Sequence, residues 1–223
     1  DYVVIQINDT HPTLIIPGLI YQLMMRDIDI HKSIEIVSKL CAYTNHTILA
    51  EALEKWPINY LEQVVPHLIP IIKYLNDIIV SKYTDKSVYI IDDDDRVHMA
   101  HICIHFSFSV NGVARLHTDI LMNNELNSFY KIYPHKFNNK TNGITFRRWL
   151  LQCNQPLSEW ITSLIGDSYK KDALELKGLL RFQDNKNILE QLLEIKNKNK
   201  LILKEHILNK KNINIDDESI YDI

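Results

Sequence analysis

Two polar stretches carry the residue types best suited to binding or chemistry: Asn8-Asp9-Thr10-His11-Pro12 and Tyr43-Thr44-Asn45-His46-Thr47. The first follows directly on Val3-Val4-Ile5-Gln6-Ile7, a mostly apolar, β-branched run of the kind covered on both faces in a parallel sheet. In such sheets ligands bind beyond the C-terminal ends of the strands, beside helix N-termini, and Asp9 and His11 occupy such a place. The same residues also have a purely structural reading. Asp9 or Thr10 would cap the next helix, with Pro12 suited to its first turn. Asn45, His46 and Thr47 would stitch a loop to its own backbone. From pattern alone, capping outweighs function. A third group, His98, His101 and His105, falls at i, i+3 and i+7, with His117 further on. On a helix these rings would share a face as metal ligands. The surrounding Ile-Cys-Ile-His-Phe run reads instead as a strand, which turns His98 away from the others, and no Glu or Cys completes a known metal spacing. The expectation is no metal site.

The elements that must position these residues alternate. The pattern predicts a strand over Val3–Ile7, a helix over Thr13–Arg26 weakened at Gly18, and an amphipathic helix through Ile30, Ile34, Val37 and Cys41. A polar loop is expected over Cys41–Ala50, a short helix over Glu51–Trp56, and a helix over Leu68–Tyr83 despite Pro70. Further strands are expected at Ser87–Ile91 and Met99–Ser109. Asn111-Gly112 reads as the opening of a helix to Met122, followed by another over Leu126–Ile132. Asn138–Thr145 is the most polar stretch and the candidate interdomain linker. Beyond it, helices are expected near Trp149–Gln152, Pro156–Ile165, Leu174–Leu180 and Asn185–Leu208, with returning strands at Ile213–Ile215 and Ile220-Tyr221. Strands alternating with helices predict an α/β chain with a mainly parallel sheet.

Composition narrows the functional classes. Among 223 residues 46% are hydrophobic, enough for a sizeable core, and the net charge of −3 predicts neither a nucleic-acid stripe nor an anionic-membrane surface. The lysine-rich run Lys196–Lys211 reads as a solvated helix face. Cys41, Cys103 and Cys153 are far apart and odd in number, so reduced, buried thiols in a cytoplasmic protein are expected. No stretch of 18 apolar residues occurs. Asp1–Ile5 reads as the middle of a strand, so the chain is expected to be an internal piece of a longer protein.

Five longer segments change the weight of the functional reading. They are Asn8–Leu14, Ala42–Thr47, Glu51–Pro57, Val110–Ala114 and Phe137–Thr145, the last continued by Arg147-Arg148-Trp149-Leu150. In order and near spacing they resemble the α-glucan (glycogen, starch and maltodextrin) phosphorylases, with a likeness running from Val3 to Asp222. The resemblance implies Rossmann-like, doubly wound domains of a two-domain glycosyltransferase of GT-B type, with only part of each present: 1–141 from the N-terminal domain and 142–223 opening the cofactor-binding domain. It implies transfer of a terminal α-1,4-linked glucosyl unit to inorganic phosphate, giving glucose 1-phosphate, with pyridoxal 5′-phosphate as cofactor. The cofactor's own phosphate takes part in proton transfer, so a carboxylate pair of glycosidase type is not required. A homodimer is implied for the whole protein, with no nucleic-acid or membrane partner.

By the same resemblance, His46 matches a catalytic histidine whose ring contacts a glucosyl hydroxyl and whose carbonyl lies near the anomeric carbon. Asn142 matches a sugar-binding asparagine reaching from the other domain. Asp9 and His11 match residues of the pocket beside the anomeric carbon, with Glu51, Ala52 and Glu54 behind it, and Trp149 matches an aromatic near the cofactor. The cofactor lysine and the basic residues that bind substrate phosphate lie downstream in the family, so the isolated chain is expected to be inactive. The sequence departs from the family pattern at Gly18, Ala50, Phe106, Phe108 and Phe146. Those departures motivate the alternative of a non-catalytic carbohydrate-binding or regulatory relative.

Overall fold

The computed structural model describes residues 3–219, except for the side chain of Ala50. The chain divides into two compact units after Asn142. In the first, β1 (Ile5–Asn8) leads into α1 (Ile15–Met24) and α2 (Ile30–Leu40), the latter started by Asp29, whose carboxylate accepts from Lys32 N–H at 3.0 Å. Then come β2 (Cys41–Thr44), a 3₁₀ turn (Ala50–Leu53), β3 (Lys55–Pro57), α3 (Ile58–Val64) and α4 (Ile69–Lys82). The unit closes with β4 (Arg96–His98), α5 (Met99–His105), β5 (Ser109–Gly112), α6 (Arg115–Ile120), α7 (Asn127–Ile132) and β6 (Phe137–Asn139).

The main sheet has the order β1-β2-β5-β6 and every pairing in it is parallel. β3 and β4 form a separate antiparallel pair. Ile7, Tyr43 and Val110 lie in register on consecutive strands and are fully buried. Against them pack Ile16, Ile20, Val37, Ile72, Leu75 and Ile102, in one continuous core. Each such side chain contributes about 1.5–3 kcal/mol by leaving water, which is what holds this sheet between its helices. The expected α/β architecture with a parallel sheet is what the chain adopts.

Several local expectations are corrected. Cys41–Thr44 is not loop but the second strand, buried between β1 and β5. Its polar look came from Thr44, whose hydroxyl accepts from Gln6 Nε2 and donates to Asn111 Oδ1, both at 2.9 Å. Glu51–Trp56 is a single 3₁₀ turn running into β3. Ser87–Ile91 is no strand. The amides of Ile90 and Ile91 donate to Asn76 Oδ1, and only Ile91 forms an isolated bridge, to Val97. Met99–Ser109 is mainly helix α5, with β5 beginning at its end. Its central residues Ile102, Cys103 and Ile104 are all fully buried, so no polar face marks the helical period. Asn111-Gly112 ends β5 rather than opening a helix, and Asn138 and Asn139 of the expected linker belong to β6 (Phe137–Asn139).

The helical α5 changes the histidine argument. His98 and His101 lie with ring centroids 4.2 Å apart and planes tilted by 34°, but each ring is committed to a protein partner. His98 bonds Asp92 at 2.9 Å, and His101 donates to the Tyr89 carbonyl at 2.5 Å. His105 donates from Nε2 to the Val88 carbonyl at 2.8 Å and accepts at Nδ1 from Tyr133 OH at 3.0 Å. Among the described residues no three His, Cys, Asp or Glu side chains stand where they would hold a metal ion. Desolvation holds His101 down at about 3 and His105 down at about 4, with Lys136 and Lys82 adding repulsion at the latter. The unfolded chain takes up these protons near pH 6.5, whereas the folded unit does not until pH falls to about 4 and below. Between those limits the unfolded state binds more protons, so stability is complete above pH 6.5 and falls as pH is lowered. Each ring sets a slope of up to about 1.4 kcal/mol per pH unit. A urea midpoint clearly lower at pH 5 than at pH 7.5 is the expected measurement. Equal midpoints would contradict it.

The second unit begins with a π-helical turn (Arg147–Gln152), followed by α8 (Gln155–Ile165), 3₁₀ segments Ser168–Lys170 and Ala173–Phe182, and α9 (Lys186–Lys211). Tyr169 is its fully buried anchor, its hydroxyl lying 2.9 Å from both the Oγ and the carbonyl oxygen of Ser158. Asn185 caps α9 and Asn212, at φ +55°, ends it. No position of α9 is buried, neither in the lysine-rich run 196–211 expected as a solvated face nor at Ile188, Leu192, Ile195 and Leu203, which share one side. Ile213–Ile215 forms no strand, and Ile220-Tyr221 lies outside the described residues. Cys41 and Cys103 are buried free thiols, whereas Cys153 is exposed, contrary to expectation. Among the described residues no single helix is long and apolar enough to cross a membrane. The pair Ile58–Val64 and Pro66–Lys82, bent by 118°, passes by length and composition together. Ile69, Ile71, Ile72, Leu75 and Ile79 of that pair are core residues.

Candidate functional site

Because the four strands are parallel, their C-terminal ends lie along one edge, and the register sets Asn8, Thr44, Asn111 and Asn138 in a row across them. The backbone bonds continue past the strands. Asp9 N–H donates to the Thr44 carbonyl at 2.8 Å, Asn45 N–H to Asn111 at 2.9 Å, and Asn142 N–H to Val113 at 2.9 Å. Asp9, His46 and Asn142 therefore follow the ends of β1, β2 and β6 of the same sheet. His46 follows β2 and is exposed, and its Nε2–H donates to Asn8 Oδ1 at 2.7 Å. Asp9, at φ +64°, turns the chain sharply after β1, and its carboxylate accepts from Thr10 N–H at 2.8 Å.

Glu54 joins the two polar stretches to the 3₁₀ turn behind them. Its carboxylate accepts from the Thr10 hydroxyl at 2.5 Å and from His11 Nδ1 at 3.1 Å. Glu54 has φ +49° and ψ 117°, outside the left-handed helical region that short polar residues tolerate. Such a conformation costs on the order of 1–3 kcal/mol and persists only where neighbouring structure imposes it, here the bond from Met99 N–H to the Glu54 carbonyl at 3.1 Å. Ala52 lies exposed in the 3₁₀ turn, its N–H bonded to the Leu49 carbonyl at 3.0 Å. Glu51 is exposed beside it. Asn142 is exposed at the end of the first unit. Trp149 belongs to the second unit, where it is 62% exposed and lines an open groove with Gln152, Cys153, Pro156, Ile202 and His206.

The strand-end edge thus offers amide, imidazole, hydroxyl and carboxylate groups, many of them exposed. That is the chemistry for directional hydrogen bonding to a polyhydroxylated ligand. Three further residues contribute, of which Asn8 stands in the first polar stretch but without an assigned role. Asn8 aims His46, Asn111 binds the Thr44 hydroxyl and the Asn45 amide, and His117 reaches the Thr47 carbonyl at 3.3 Å. Asn111 lies inside the segment Val110–Ala114 but has the local signature of a helix start, and nothing local in the sequence around His117 signals its long-range partner.

The family described as carbohydrate phosphorylase matches residues 1–223. The chain belongs to the carbohydrate phosphorylase family. It is 53% identical over its whole length to the maltodextrin phosphorylase of Streptococcus pneumoniae serotype 4, of which it covers 30%. It is 40% identical to the muscle glycogen phosphorylase of Oryctolagus cuniculus and 39% identical to that of Homo sapiens, covering 28% of each. The chain therefore spans less than a third of the length of these curated phosphorylases.

The departures from the family pattern fall in different places. Gly18 lies within α1, and a Cβ there would meet nothing within 4 Å. Phe106 is buried at the end of α5, Phe108 is 45% exposed, and Phe146 is half-buried in the second unit. None of these four hydrogen-bonds Asp9, His11, His46 or Glu54. The side chain of Ala50 lies outside the described residues.

Proposed function

We propose that this chain is part of an α-glucan phosphorylase, in which the strand-end crevice of the first unit forms one wall of the glucosyl site. The observation that carries this reading is the anchoring of both polar stretches at one sheet edge, His46 by Asn8 and His11 by Glu54. In this reading His46, held from Nε2, presents its ring to a glucosyl hydroxyl, and its fixed backbone carbonyl stabilises positive charge developing at the anomeric carbon. Asp9, His11 and Glu54 line the adjoining pocket, with Ala52 on the turn behind. Asn142 supplies a further hydroxyl contact. The architecture is that of a GT-B glycosyltransferase, with a domain boundary near Thr141.

Pyridoxal 5′-phosphate, when bound, supplies a phosphate for proton transfer. The lysine that anchors it is assigned to a stretch beyond this one. Trp149, with its exposed indole, is the residue here that would pack beside it. Inorganic phosphate and an α-1,4-glucan are the proposed substrates, a homodimer the proposed assembly, and a reducing compartment such as the cytoplasm the proposed location, in keeping with the free thiols. Of the departures from the family pattern, Gly18, Phe106, Phe108 and Phe146 give no specific support to a non-catalytic relative, since none of these four bonds to the anchoring residues.

The test is phosphorolysis of maltodextrin. The 223-residue chain with added pyridoxal phosphate is expected to release no glucose 1-phosphate, and the full-length protein carrying it is expected to release it. Product from the isolated chain would refute the first statement. An inactive, cofactor-loaded full-length protein would refute the assignment.

A further inference from the structure

The loop carrying His46 and the backbone of Asn142 are joined through one imidazole. His117, on α6, accepts at Nδ1 from Val113 N–H at 3.1 Å, and its Nε2 lies 3.3 Å from the Thr47 carbonyl. A backbone amide can only donate and a carbonyl can only accept, so a single form satisfies both: the neutral ring with its proton on Nε2. The Val113 carbonyl in turn accepts from Asn142 N–H at 2.9 Å. The series Thr47, His117, Val113, Asn142 therefore runs from the residue after His46 to Asn142. The ring is seated tightly, since a Cβ on Gly112 would stand 2.9 Å from its Nδ1. Thr118, the next residue, is fixed by its hydroxyl to the Ala114 carbonyl and Asn139 Oδ1, at 2.9 and 3.0 Å, which leaves α6 little freedom to shift.

We propose that His117 is a positioning residue of the glucosyl site, setting the separation between the His46 loop and the Asn142 backbone through its Nε2–H tautomer. The inference rests on the reading of His46 and Asn142 as sugar contacts, but the holding of the loop is measurable without it.

Three substitutions in the full-length protein separate the two bonds. His117→Asn keeps an acceptor near Nδ1 and gives up Thr47. His117→Gln keeps a donor near Nε2 and gives up Val113. His117→Ala gives up both. Hydrogen exchange of the Asn45–Leu49 segment is expected to rise in the Asn and Ala variants and to stay close to wild type in the Gln variant. Exchange at Val113 is expected to rise in the Gln and Ala variants only. In phosphorolysis the Asn variant is expected to lose about tenfold in kcat/KM, and the Gln variant to recover most of that loss. Unchanged exchange at Asn45–Leu49 in the Ala variant would overturn the proposal. So would an equal rise throughout the unit in all three variants, which marks a merely structural role. If the wild-type protein shows no phosphorolysis while the exchange pattern holds, the functional assignment fails and the positioning of the loop stands.

Discussion

Replacing His46 by alanine in the full-length protein is expected to lower kcat/KM for phosphorolysis by at least about a hundredfold, with little change in stability. The size follows from where the group acts. A ring donor or acceptor already fixed before reaction and aimed at a glucosyl hydroxyl loses its whole contribution on truncation, and water does not restore it, whereas the backbone carbonyl beside the anomeric carbon remains in the alanine variant. The fold should tolerate the change because the ring is exposed and, among the described residues, bonds Asn8 Oδ1 alone, at 2.7 Å. Asn8→Ala supplies the internal comparison. It leaves the imidazole in place but unaimed, so its loss should fall between wild type and His46→Ala, near tenfold by the net worth of one hydrogen bond. Steady-state rates of glucose 1-phosphate release, with thermal unfolding of each variant, decide the matter. A His46→Ala protein within threefold of wild type would remove His46 from the site.

Gly112→Ala is expected to destabilise the first unit by about 2–3 kcal/mol, the cost of forcing an atom into a packed interior. The added Cβ would lie 2.4 Å from Thr118 Oγ1, 2.9 Å from His117 Nδ1 and 3.0 Å from Thr118 Cα. Rotating the Thr118 hydroxyl away is no inexpensive escape, because its one proton is shared between the Ala114 carbonyl and Asn139 Oδ1. Moving the Cα means moving α6. Gly18→Ala is the control, since a Cβ there meets nothing within 4 Å and the position is helical. It should be neutral or stabilising by up to about 1 kcal/mol, through the reduced freedom of the unfolded chain. Denaturation midpoints of the two variants should therefore move in opposite directions or differ widely. Equal midpoints would show that α6 yields freely, and would weaken the case for His117 as a rigid strut.

By itself the sequence determined the family, through five segments in order, and the placing of Asp9 and His11 just beyond the end of a strand, although that strand is an edge strand with only Ile7 buried rather than one covered on both faces. It also determined α1, α2, α4, α8 and α9 to within a few residues, because each has caps, breakers or a solvent face that leaves a local signature. Only the tertiary structure decided the elements buried on all sides. Cys41–Thr44 became the central strand and Met99–His105 a helix, since an element without a wet face shows no period to read. Likewise, the partners of the functional side chains are distant in the chain. His11 meets Glu54 across 43 residues, His46 meets Asn8 across 38, and His117 meets Thr47 across 70. No local pattern encodes such pairings. They arise because parallel strands bring their C-terminal ends to one edge, where the loops that follow have nowhere to lie except against each other.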